Sequence, residues 1–155
     1  MPIHFEVQCT IPAPPQRVYD ALTDLDRAGE WMQNLVGIEK LTQGPFAPGT
    51  RWREMRRFLG QRTSEIFEVS AADPGRRIEV FCEGKNGTSK VGEYRFTYAL
   101  EPEGTDTNLK LTADITQLGW MSDLVMRLFS GAYRSTIANE LRAMSTYLER
   151  TKAEG

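Results

Sequence analysis

After Gly119 apolar residues recur every three or four positions, at Met126, Phe129, Tyr133, Ile137, Leu141, Met144 and Leu148. That is the repeat of a helix with one apolar face. A helix of roughly 30 residues rising 1.5 Å per residue is about 45 Å long. This matches the full width of a domain of this size, so the helix must lie across a sheet. Gly131 falls inside the segment and predicts a kink or a split into two helices, because mid-helix glycine costs about 1 kcal/mol relative to alanine.

The segments before that helix read as strands. Ile3, Phe5, Val7, Cys9 and Ile11 alternate with polar residues, the signature of a strand with one buried face. Pro12-Ala13-Pro14-Pro15 stops it, and prolines suit the first turn of a helix, which would carry Val18, Tyr19 and Leu22. Asp24 is an expected N-cap for a second short helix ending near Trp31 and Met32. Val36, Ile38 and Leu41 then suggest another strand. Strands follow near 50–59, 62–72, 76–83, 90–101 and 107–118, joined by short Gly- and Pro-containing links that favour antiparallel neighbours.

At 155 residues the chain has the length of one domain, 1–155, able to bury a core without disulfides or metals. A net charge of -2 gives no field to gather nucleic acid or an anionic membrane. No apolar run approaches the roughly 20 residues needed to cross a bilayer. The N-terminus lacks the pattern of a secretory signal, so a cytoplasmic address is expected. Cys9 and Cys82 are far apart and lack partners at metal-ligand spacing, so both read as reduced core residues. No cofactor or metal is expected, and the chain could be a monomer or a homodimer.

The element order, together with Ile11-Pro12-Ala13-Pro14, Val18 to Asp24, Trp31-Met32, Gly49 to Glu54, Ile66 to Val69 and Tyr94 to Tyr98, resembles the START-like (SRPBCC) superfamily, closest to its polyketide cyclase/dehydrase-like branch. One departure is Glu30-Trp31-Met32-Gln33, where relatives often flank the tryptophan with prolines. The resemblance implies an α+β helix-grip fold. In it a seven-stranded curved antiparallel sheet wraps around a long C-terminal helix, with two short helices after the first strand. It also implies an apolar or amphipathic small-molecule ligand held between sheet and helix, and catalysis in only a minority of members. Fold alone does not choose between these roles.

Strand parity assigns the inner face. Trp52, Glu54, Arg56 and Phe58 share one side of their strand, and the aromatics argue that this side faces in. Glu54 and Arg56 then point into the interior, either as a structural ion pair or as polar contacts for a ligand. Glu65 shares parity with Phe67 and Val69 and carries the same ambiguity. Tyr94, Phe96, Tyr98 and Leu100 share an inner face, as core or as ligand contacts. Trp31, Trp52, Phe67, Phe96, Tyr98, Trp120 and Leu124 are candidate apolar walls. Arg51, Arg53, Arg56, Arg57 and Arg62 form a local basic cluster that reads as a solvated strand face, with attraction of an anionic ligand or a phosphate-bearing partner as the alternative, and His4, the only histidine, points away from the core.

Three functional classes are open: a carrier or sensor of a hydrophobic or aromatic molecule, a cyclase or dehydratase using Glu54 or Glu65 as acid or base, and an interaction module with a vestigial cavity. No Ser-His-Asp or Cys-His grouping and no glycine-rich phosphate loop is present to point elsewhere.

Overall fold

The structure is a computed structural model. It describes the backbone of residues 3–58 and 60–152, with side chains except at 58, 120–123, 125, 126 and 128–130. The strands are β1 (Ile3–Ile11), β2 (Leu35–Lys40), β3 (Arg51–Phe58), β4 (Gln61–Asp73), β5 (Arg77–Glu83), β6 (Glu93–Glu103) and β7 (Asp106–Thr116). The helices are α1 (Pro15–Thr23) and α2 (Trp120–Arg150).

All seven strands form one antiparallel sheet in the order β1-β7-β6-β5-β4-β3-β2. Sequential hairpins explain β2 to β7. Their turns use left-handed backbone that glycine adopts without a Cβ clash, as at Gly75 (φ 74°) and Gly104 (φ 63°). β1 and β2 lie on opposite edges, so the chain between them must travel across the sheet. Residues 12–34 make that crossing, through α1 and a turn.

Pro15 opens α1 where a missing N–H leaves no bond unmade, and Val18 and Tyr19 bury its inner face. The second short helix expected from Asp24 is only a 3₁₀ turn, Ala28–Glu30. Asp24 Oδ1 does accept from Arg27 N at 3.2 Å, which closes a turn. Trp31 is then drawn into the core and Asn34 takes a positive φ of 61°, so no further helical turn forms.

β2 carries a register shift between Leu35 and Gly37, which breaks simple alternation and leaves Val36 exposed. A second shift lies in β4 between Val69 and Ala71. Such bulges bend and twist the strands that carry them. The β5–β6 link is longer than its sequence suggests. It holds a 3₁₀ turn (Gly84–Asn86) and a loop before β6 begins at Glu93. β7 stops at Thr116, before Gln117 adopts a left-handed φ of 57°.

α2 runs unbroken from Trp120 to Arg150, so the split expected at Gly131 does not occur. Gly131 is exposed, and no atom lies within 4 Å of where a Cβ would stand. Leu141, Met144 and Leu148 bury the C-terminal half of the helix against the core, which includes Val7, Ile11, Leu109 and Leu111. The helix comes closest to the sheet along β1 and also touches α1. Among the described residues, no helix is long and apolar enough to cross a membrane.

Candidate functional site

The register of β3 on β4 places Trp52 opposite Phe67, Glu54 opposite Glu65, and Arg56 opposite Thr63. Alternation sends Trp52 and Glu54 to the inner face, where both are buried. Arg51 and Arg53 turn outward and pair with Glu68 and Glu39. The indole of Trp52 stacks on Phe67, with centroids 5.6 Å apart and 16° between planes. Phe46 and Phe96 extend the row, at 6.1 Å from Trp52 and 6.3 Å from Phe67. This shelf of π surface draws on the loop before β3, on β3, on β4 and, beyond β5, on β6.

Three charges meet beside the shelf. The Arg56 guanidinium donates through Nε to Glu54 Oε1, and Nη1 lies 2.7 Å from Glu140 Oε1 on α2. That second contact lies off the N–H axis: it is an ion pair, and Glu140 Oε1 has no hydrogen bond. Nη1 instead donates to the Gln33 carbonyl at 3.3 Å, and Nη2 lies 3.6 Å from Met32 Sδ. Trp52 Nε1 donates to Glu54 Oε2 at 3.3 Å. The side chains of Glu54, Glu140 and Arg56 keep only 8%, 16% and 25% of their surface exposed.

Burial works against the charge on Arg56, but the adjoining Glu54 and Glu140 more than offset it and hold the guanidinium's proton more tightly than usual. For Glu140 the balance runs the other way. Burial raises its carboxyl above the usual range, Arg56 pulls it partly back, and Glu54 pushes it up again. Folded Glu140 therefore keeps its proton to higher pH than unfolded Glu140. Its contribution to stability is full below the ordinary value of 4.5 and is lost as pH rises through the folded value. Glu140→Gln removes that loss. Its urea midpoint relative to wild type should be higher at pH 7 than at pH 4.5, and equal offsets at the two values would contradict the assignment.

Glu65 occupies a different setting. Its Oε1 accepts from Ser89 N at 2.9 Å, and Cys82 Sγ lies 3.6 Å from Oε2. Ser64 and Thr88 exchange two bonds of 2.8 Å, binding the β5–β6 loop to β4. Gly87 makes this fit possible, since a Cβ there would stand 2.1 Å from Glu65 Oε2. Burial, followed by the Glu65 charge, pushes the Cys82 thiol up, so it is an un-ionised core thiol.

Tyr98 on β6 and Tyr133 on α2 face each other across the grip. Burial pushes both hydroxyls well up, and both feel Glu54 and Arg56. Yet neither is fully buried, whereas Val69, Leu109, Leu111 and Ala113 on the same sheet face are. Tyr98 and Tyr133 thus each keep part of their surface accessible. Phe67, Tyr94, Phe5 and Arg56 keep accessible surface on the same concave side. Phe5 meets Tyr133 edge-on at 6.0 Å.

Of the residues expected at a site, Trp52, Glu54, Arg56, Phe67, Phe96 and Tyr98 come together here, with Tyr94 and Glu65 towards the β5–β6 loop. Trp31 is buried at the far wall, lining a groove between the 3₁₀ turn and the end of α2. Leu124 is not an inner wall: it is 54% exposed. It precedes Tyr133 by nine residues, about two and a half helical turns, and so points the opposite way. The side chains of Trp120 and Phe58 lie outside the described residues. His4 faces out and contacts Asp114 at 2.6 Å.

Glu140 is the member of this charged cluster that the sequence reading missed. It stands three residues after Ile137 and four before Met144, inside the apolar stripe rather than beside it. A charge at a stripe position is the signal that could have found it.

Known proteins support the same architecture. An aromatase/cyclase, Zhui, from Streptomyces sp. R1128 matches with a TM-score of 0.80 at 18% identity, covering 97% of this chain and 96% of that one. TTHA0849 from Thermus thermophilus gives 0.78 at 22% identity over 99% of both chains. Major latex-like protein 151 of Panax ginseng gives 0.77 at 12%, covering 94% and 97%. In sequence, the uncharacterized protein Rv1546 of Mycobacterium tuberculosis is 24% identical over 110 residues, 71% of this chain and 74% of that protein. The family model described as polyketide cyclase / dehydrase and lipid transport matches residues 2–149, almost the full length, and the chain belongs to that family.

Proposed function

We propose that the protein binds a hydrophobic or aromatic small molecule between the sheet and α2, as a carrier or sensor. The observation that carries this reading is the accessible surface left on Tyr98 and Tyr133 deep within the grip, beside the Trp52–Phe67 stack. Apolar walls with a few convergent polar groups are the usual makeup of a small-molecule site. Here the walls are Trp52, Phe67 and Phe96, and Glu54, Arg56 and Glu140 supply the polar end.

The test is a thermal-shift screen of apolar and aromatic compounds, followed by titration of Trp52→Ala and Glu54→Gln. Any compound that stabilises the wild type should bind Trp52→Ala at least about tenfold more weakly, the scale of losing a buried aromatic anchor. Binding untouched by both substitutions would remove the site from this face.

A second reading, a cyclase or dehydratase, draws on Glu140. A carboxyl whose hold on its proton is raised by burial, near an ionic partner and an aromatic shelf, has the properties of a general acid. Glu54 and Glu65 on adjacent strands would then be the candidate bases, and turnover surviving in Glu54→Gln, Glu65→Gln and Glu140→Gln alike would reject it.

A further inference from the structure

The charges lining the grip are unequal, and so are their hydrogen-bonding capacities. Among the described residues, the inner faces carry three carboxylates, Glu54, Glu65 and Glu140, and one cation, Arg56. The other basic side chains on the surrounding elements point out. Arg51 and Arg53 pair with Glu68 and Glu39, and Arg95 pairs with Glu79 on the convex face. Arg57 and Arg62 are exposed on β3 and β4, and Arg127, Arg134 and Arg142 are exposed on α2.

Arg56 has little left to offer a ligand. Nε is bonded to Glu54, Nη1 is shared between the Gln33 carbonyl and Glu140, and Nη2 is turned to Met32. The open fork that would grip a carboxylate or phosphate with two parallel bonds is already engaged by the protein. Acceptors, by contrast, are in surplus. An ionised carboxylate offers about four lone-pair sites. Glu54 takes a bond from Arg56 and one from Trp52, which leaves it further lone pairs, and the Glu140 side chain keeps 16% of its surface although its Oε1 is buried in ion-pair contact with Arg56.

Building on the cavity reading above, we propose that the site selects ligands whose buried polar end is an uncharged hydroxyl or phenol, and rejects carboxylates and phosphates. A hydroxyl donates to the surplus acceptors at Glu54 and Glu140. An anion brings only further acceptors to a net-negative enclosure and finds no free donor fork. A neutral group is also cheaper to desolvate than an ammonium, which would have to leave water as an ion. Glu54 and Glu140 are thus specificity-determining residues: the acceptor oxygens of the pair, and whatever negative charge it carries, set the kind of polar end the grip accepts.

The experiment compares 2-naphthol with 2-naphthoate, which share an aromatic body, by isothermal titration calorimetry at pH 7. 2-Naphthol should bind the wild type at least about tenfold more tightly, since like-charge juxtaposition is strongly disfavoured. In Glu140→Gln, and separately in Glu54→Gln, that ratio should shrink, with folding verified by circular dichroism. Glu68→Gln on the convex face should leave it unchanged. Equal affinity of the two compounds for the wild type, or a ratio that neither inner substitution alters, overturns the charge preference and leaves the cavity reading standing. Failure of both compounds, together with a blank apolar screen, overturns the cavity reading itself.

Discussion

Arg56→Met is expected to lower the free energy of unfolding by about 3–5 kcal/mol at pH 7, the usual cost of removing one partner from a buried ion pair. Its guanidinium sits between Glu54 and Glu140. Methionine fills similar volume but leaves two carboxylates facing each other in a poorly solvated space. Part of that cost is repulsion between the two acids, so it should shrink as pH falls and Glu140, whose carboxyl is raised, takes up its proton. Neutralising all three positions, in Glu54→Gln/Arg56→Met/Glu140→Gln, should restore most of the loss, because no unpaired charge remains buried. Urea denaturation of the wild type, the single variant and the triple variant across pH reads both effects. A single-variant loss below about 1 kcal/mol would show that the carboxylates reach bulk water, as surface pairs do.

The triad also shows where a linear sequence stops being informative. Glu54 and Arg56 are legible because β3 alternates strictly: once Trp52 is assigned inward, every second residue goes with it. The same logic places Phe67, Phe96 and Tyr98. Their partner Glu140 comes from α2, more than eighty residues later. Which of its turns lies over β3 depends on how the helix crosses the sheet, and that is tertiary information. Leu124 fails for a related reason. Its apolar character suggests a wall, but helical phase carries it to the opposite side from Tyr133.

Irregularities are harder to read than periods. Val36 shares parity with Ile38, and nothing in the residues announces the register shift that turns it outward. Gly131 carries a propensity cost, yet α2 continues through it. A mid-helix glycine weakens a helix by about 1 kcal/mol, less than the packing of Ile137, Leu141 and Met144 can supply. Asp24 is not the N-cap of the 3₁₀ turn; that position is Arg27, without a side-chain cap, and the Asp24 carboxylate instead accepts from Arg27 N and closes the preceding turn. The length of the turn after it is set by the burial of Trp31 and not by that bond. Glu65 is held by a backbone N–H from a loop 24 residues away, a contact that no local pattern encodes.

Whether the grip is open at its centre can be tested by adding volume at two points on the same sheet face. Ala113 is completely buried among Leu109, Leu111 and Phe96. Ala113→Leu should therefore cost about 1–3 kcal/mol, as overpacking does in a filled core. On the proposed cavity reading the accessible surface of Tyr98 faces ligand space, so in Tyr98→Trp the larger ring extends into that space, and the stability change should stay below about 1 kcal/mol. The same substitution occupies room that a ligand would need, and the affinity for 2-naphthol should fall by about tenfold or more. Stability and binding thus respond oppositely at the two positions: the core site loses folding energy, while the cavity site loses the ligand. If Tyr98→Trp proved as destabilising as Ala113→Leu, the interior would be filled by its own side chains, and a surface role would have to replace ligand binding.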